Sequence, residues 1–216
     1  MKFFMYFCAK IKKNMRKSNK ETLYKAAFRL FLQNRFYGVS LSDIEKESGL
    51  TRGAIFYYAD NKEELFYNII KEFVFDKQNV DLKFQDYKYD SVKEYIVAYV
   101  SGIQKTMQAF LTILGPLPKS NISRCYISII LEACDLFPDV KEWYKLNINK
   151  DISMWGFVLH KGIEKGEIKE NIDVLSCAKQ FVYLYYGQAL VESASTGLNS
   201  DFLLDSMNNL YSLVKK

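Results

Sequence analysis

Between Ser40 and Lys62 the chain reads SLSDIEKESGLTRGAIFYYADNK, and helix-start and helix-stop residues follow one another too closely there for long elements. Ser40 precedes Leu41 and stands three positions before Asp43, the spacing at which a hydroxyl takes a first-turn amide while the acid reaches back. Leu41, Ile44 and Ser48 then share one helix face, and Glu45, Lys46 and Glu47 the other. Gly49 supplies the left-handed conformation of a sharp stop. Leu50 is expected to be the buried residue of the turn, and Thr51 to cap a second helix from Arg52 to about Tyr58. Asn61 with Glu64 repeats the capping pattern, so the second helix has only about two turns. A helix that short is a poor core element but fits a DNA groove, and the layout is that of a helix-turn-helix.

The residue types on the short helix support a duplex partner. Arg52 leads it, where side chains project toward base edges, and arginine can pair bidentately with guanine. Gly53 and Ala54 lack bulk and allow close backbone approach. Tyr57 and Tyr58 bring hydroxyls that can meet phosphates, and Lys62 stands at a helix N-terminus suited to one. A solvated corner of a helical bundle would leave this basic, tyrosine-rich tip unexplained. Charge agrees. Residues 1–62 carry 13 Lys and Arg against 5 Asp and Glu, a net +8, while residues 63–216 carry 17 against 20, a net −3. A basic first quarter on a slightly acidic remainder fits a DNA-binding head on a body that does not bind DNA.

From about Asn19 to Ile70 the chain resembles the TetR-type transcriptional regulators. The resemblance rests on Ala26, Ala27, Leu30 and Phe31, on Ser40, Asp43 and Ile44, on the run Gly49 to Tyr57, and on Lys62, Glu63, Glu64 and Leu65. It implies that Arg52 and Gly53 approach bases and that Ser40, Thr51, Tyr57, Tyr58 and Lys62 hold the DNA backbone. Departures occur. The family's usual glycine is replaced near Arg35, where Asn34 is expected to supply the left-handed residue. Phe56 stands where tyrosine is usual and keeps its place in the contact set without a hydroxyl. Tyr58 and Ala59 replace histidine and phenylalanine, and Phe36 or Phe66 is expected to fill the gap at Ala59.

The rest of the sequence predicts an all-α chain of about nine helices, with no strand pattern. Residues 1–17 read as a flexible basic extension; Met15 begins a stretch that opens as such regulators usually do, and a minor-groove arm is the alternative. Its apolar run Phe3 to Ala9 is too short to span a bilayer, and the basic cluster follows the run instead of preceding it as in a signal peptide. Residues 18–62 form the head and 63–216 a ligand-binding and dimerisation body, tied together by the helix that starts at Asn61 and reaches Val80. A bend is expected over Asp81 to Asp90. Helices follow over Val92 to Leu114, Ile122 to Leu136, Pro138 to Lys165, Asn171 or Asp173 to Thr196, and Asp201 to Val214, with a break at Gly115 to Pro118. The widely spaced Cys8, Cys125, Cys134 and Cys177 read as free thiols.

The body's aromatic residues fit either a filled core or an apolar pocket with polar anchors; the resemblance implies a pocket for a small effector, with Tyr95, Tyr99, Phe110, Trp155 and His160 as liners. Leu203, Met207, Leu210 and Val214 form a narrow apolar seam. With Ala178, Phe181, Tyr185 and Ala189 on the preceding helix, it is expected to pair two copies through a four-helix bundle. The alternative is that the seam packs on its own body. The resulting expectation is a cytoplasmic homodimeric regulator, most simply a repressor, with double-stranded operator DNA and an apolar or aromatic effector as partners. No cofactor, metal or membrane partner is expected. A ligand-independent dimeric adaptor is one alternative. An all-α enzyme with an accessory nucleic-acid head is another, but the body lacks paired carboxylates, metal-ligand spacing and a phosphate loop.

Overall fold

The computed structural model describes residues 19–76, 89–114 and 119–216. The basic extension, most of the expected bend and the Gly115 to Pro118 break lie outside the described residues. Nine α-helices account for most of the remainder: α1 (19–34), α2 (Leu41–Ser48), α3 (Arg52–Phe56), α4 (Lys62–Ile70), α5 (Val92–Leu114), α6 (Lys119–Leu136), α7 (Pro138–Glu164), α8 (Val174–Ser193) and α9 (Ser200–Val214). Among the described residues the only β pairing is an isolated bridge between Ile168 and Lys215. The chain divides into two compact units, one ending at Val74 and one beginning at Phe75.

The first unit closes α1 to α4 over a dry core. Leu23, Ala27, Phe28 and Phe31 of α1, Ile44 of α2, Ile55 of α3 and Leu65, Phe66, Ile69 and Ile70 of α4 are all essentially inaccessible. Phe31 meets Phe66 edge-on at 4.9 Å, Phe36 lies 5.1 Å from Phe66, and Phe28 stacks on Phe73 at 4.7 Å. Two details depart from the sequence reading. The left-handed residue after α1 is Arg35, at φ 63°, not Asn34, which stays helical. Its amide donates to Phe31 O at 2.8 Å, so the strained position is occupied to finish the helix with a satisfied carbonyl. And α4 does not run on as a plain α-helix: Lys71–Phe75 widen into a π turn where the chain passes from one unit to the next.

The second unit packs α5 to α9 around Trp155 of α7. Its indole stacks on Phe181 at 4.2 Å, and Tyr95 and Tyr99 of α5 meet it edge-on at 4.7 and 5.2 Å. Leu203 and Met207 of α9, with Ala178 and Phe181 of α8, are fully buried in this same core, and Leu210, Val214 and Tyr185 are half-buried against it. Within the 4-3-4 row of α9, Leu203 and Met207 face the core of their own chain, while Leu210 and Val214 keep part of their surface accessible. Glu167, in the loop after α7, locks the ends of the bundle. Its carboxylate accepts from the Val92 and Lys93 amides at the start of α5, at 2.9 and 3.3 Å, and from the Tyr211 hydroxyl of α9 at 2.9 Å.

At Gly162, α7 comes close to the start of α5 and to the loop that follows α7. A Cβ there would lie 2.7 Å from both Val92 Cγ2 and Ile168 Cγ1. Gly162→Ala should lower the unfolding midpoint of the second unit, by about 1–3 kcal/mol of overpacking, in urea denaturation followed by tryptophan fluorescence. An unchanged midpoint would show that α5 and the loop yield freely at this point.

Candidate nucleic-acid interface and body cavity

Local hydrogen bonds build the helix-turn-helix as its caps predict. The Ser40 hydroxyl accepts from the Asp43 amide at 3.2 Å and donates to Asp43 Oδ2 at 2.6 Å, while the Ser40 amide donates to the same carboxylate at 2.8 Å. These Ser40 bonds hold the Asp43 carboxyl below its ordinary range. Gly49 takes φ 68° and its amide closes on Glu45 O. Leu50 is half-buried in the turn. The Thr51 hydroxyl then accepts from the Ala54 amide at 3.4 Å and starts α3. The Asn61 side chain accepts from the Glu64 amide at 2.7 Å and starts α4.

The short helix is shorter than the sequence suggests, ending at Phe56 with Tyr57 and Tyr58 in the turn beyond it. Ile55 is its one buried residue. Arg52, Gly53, Phe56 and Tyr57 are exposed, with Thr51 and Ser40 beside them, while Ala54 and Tyr58 are half-buried. A Cβ on Gly53 would meet nothing within 4 Å, so the backbone there is open to an approaching surface. Tyr57 and Tyr58 hold each other edge-to-face at 5.1 Å.

Two contacts escaped the sequence reading. Arg52 Nη2 donates to Ser42 Oγ at 3.1 Å and to Glu45 Oε2 at 3.2 Å, so α2 holds the arginine from across the turn. Both bonds use one terminal nitrogen, and the donors of the opposite guanidinium edge point elsewhere. Lys62 is half-buried: its ammonium donates to Phe36 O at 3.0 Å and Val39 O at 2.9 Å and lies 4.1 Å over the Phe36 ring. It pins the α1–α2 connection to the start of α4 and has one proton left for a third acceptor. Neither contact leaves a local signature, because the partners stand 7 to 26 residues away.

In the second unit a cavity of about 230 Å³ lies among α5, α6, α7 and α8. Ile103, Met107 and Phe110 of α5, Ile122 and Ile130 of α6, and Ala189 and Leu190 of α8 make its apolar wall; Tyr126, Tyr144, Tyr185 and Tyr186 line it with rings and hydroxyls. Burial pushes the Tyr144, Tyr185 and Tyr186 hydroxyls above their ordinary pKa, so they are neutral phenols. Of the five residues expected as liners only Phe110 is there. Tyr95, Tyr99 and Trp155 belong to the solid core beside the cavity, because Trp155 stacks flat on Phe181 and leaves no gap; His160 is exposed on α7. Tyr99 donates to Asp151 Oδ2 at 2.7 Å, and this carboxylate is only 5% exposed. Burial raises the Cys125, Cys134 and Cys177 thiols, which disfavours the reactive thiolate. Among the described residues no cluster of His, Cys, Asp and Glu could hold a metal ion, and no helix is long and apolar enough to cross a membrane.

Residues 23–69 match the family described as bacterial regulatory proteins, tetR family. No curated protein sequence matches the chain. The fold recurs in solved structures. A TetR-family transcriptional regulator from Cytophaga hutchinsonii superposes with a TM-score of 0.65 at 21% identity, over 93% of this chain and 96% of that one. A TetR-family regulator from Agrobacterium tumefaciens gives 0.66 at 14% identity, over 93% and 100%. The reduced form of E. coli NemR gives 0.62 at 21% identity, over 89% and 97%.

The Lys62 contacts make a separate prediction about the head. Lys62→Met keeps the stem over Phe36 but removes both bonds to carbonyl oxygens, at a cost of about 1–3 kcal/mol. Amide hydrogen exchange over 31–45 should accelerate while the α7 and α8 amides keep their protection. Unchanged protection at 31–45 would remove Lys62 from this structural role.

Proposed function

From a chain with the fold and the N-terminal domain of a TetR-family transcriptional regulator, we propose a homodimeric cytoplasmic repressor that two exposed α3 helices seat on a palindromic duplex operator and that a small apolar or aromatic effector releases. The observation that carries this reading is Arg52, exposed at the start of a five-residue helix and held by Ser42 and Glu45. An arginine fixed by one nitrogen presents its other edge with little rotamer entropy left to lose, which suits a bidentate pair with guanine O6 and N7. Gly53 and Ala54 let the backbone come close. Phe56 gives an apolar contact, Ser40, Thr51, Tyr57 and Tyr58 face phosphates, and Lys62 offers its third proton to one.

A second copy is the partner that the exposed sides of α8 and α9 suit. Leu175 (58% exposed), Tyr183 (56%) and Val191 (72%) share one outward arc of α8, and Phe202 (57%) and Leu213 (69%) one of α9. Gly187 stands in the same α8 arc with open space where a Cβ would be. These residues, not the buried Leu203 and Met207, are assigned to the dimer. The cavity beside them supports the effector. A ligand there would favour one arrangement of the dimer to the extent that it binds that arrangement more tightly, and release follows if that state spaces the heads wrongly for the operator.

Arg52→Ala should lose about 1–3 kcal/mol of preference for operator over random duplex, read by competition anisotropy; an unaltered preference would remove Arg52 from base reading. Tyr183→Glu with Phe202→Glu should give a folded monomer in sedimentation velocity, and a dimer that persists would move the interface elsewhere.

A further inference from the structure

We infer that the body cavity selects a lipophilic cation, an aromatic or branched ammonium, over neutral and anionic molecules of the same shape. This deepens the effector reading and rests on it. Among the described residues that line the cavity none is Lys, Arg or His, so a carboxylate or phosphate would enter with no counter-charge. The wall is instead rich in π-faces set at angles to one another: Tyr185 lies 4.9 Å from Tyr186 at 52°, and Tyr144 lies 6.4 Å from Tyr186 at 85°. Ring faces carry the negative end of the aromatic quadrupole and attract a desolvated cation.

A buried acidic group stands behind this wall. The Tyr99 ring meets Tyr185 edge-on at 5.9 Å, and the Tyr99 hydroxyl donates to the buried Asp151 carboxylate. When that group is ionised, its charge acts through the tyrosine layer in a medium of low polarizability. Residues 63–216 also carry a net −3, which draws cations toward the body. A neutral ligand would use the aliphatic wall alone; a cation uses the wall and the rings, and favours the ionised form of the Asp151 behind them.

The experiment is calorimetric titration of the full chain with three probes of matched size: phenyltrimethylammonium, its neutral isostere tert-butylbenzene, and benzenesulfonate. The cation should bind about tenfold more tightly than tert-butylbenzene, the size of a desolvated cation–π contact, and benzenesulfonate should not bind. Asp151→Asn and, separately, Tyr186→Leu should reduce that ratio while tert-butylbenzene still binds. Equal or tighter binding of tert-butylbenzene to the unaltered chain would overturn the selectivity and leave the effector reading standing. Binding of none of the three would overturn both.

Discussion

Helix α3 spans five residues and buries one side chain, Ile55, so nothing internal to it fixes its direction. A single helical turn is unstable by itself. Its position is imposed from outside: the Thr51 cap at one end, Gly49 in the left-handed region before it, Ile55 in the core of the first unit, and Arg52 tied back to α2. This dependence is also what frees its surface. Because α3 contributes almost nothing to the core, Arg52, Gly53, Phe56 and Tyr57 can all face outward. The head is in effect a scaffold of α1, α2 and α4 that holds a short readable segment.

The body divides its aromatic residues by a different rule. Trp155, Phe181, Tyr95 and Tyr99 form a layer with ring spacings of 4.2 to 5.2 Å around the indole, which leaves no room. About one helical turn further along α8, Tyr185 and Tyr186 line a cavity together with Tyr126 of α6 and Tyr144 of α7. Rigid layer and cavity share Tyr185, through Tyr99. The cavity therefore has one wall backed by a closely stacked aromatic layer, a suitable basis for discriminating among ligands by charge and shape.

How much could be read from the sequence follows the range of each interaction. Caps and the Gly49 stop were legible because each is decided within about four residues: Ser40 with Asp43, Gly49, Thr51 and Asn61 all act as the sequence predicts. The all-α fold followed from them. Long-range partners were not legible. The apolar row of α9 announced a buried face but not what covers it, so Leu203 and Met207 read as a dimer seam although they lie in their own core. The carbonyl partners of Lys62, Phe36 and Val39, were hidden because they lie across a loop from it. The choice of Tyr95, Tyr99 and Trp155 as pocket liners failed for a related reason: residue type says that an aromatic ring will be buried, while only geometry says whether it faces a ring or a void.

In the proposed function, two copies of this chain read DNA through paired α3 helices. Selection of duplexes by the full chain from a random pool, followed by sequencing, tests it most directly. The account predicts enrichment of a palindrome whose half-sites are about one helical turn apart, roughly 10 base pairs centre to centre, or a multiple of that spacing. A pool that stays random, or that converges on an isolated half-site without two-fold symmetry, would contradict it.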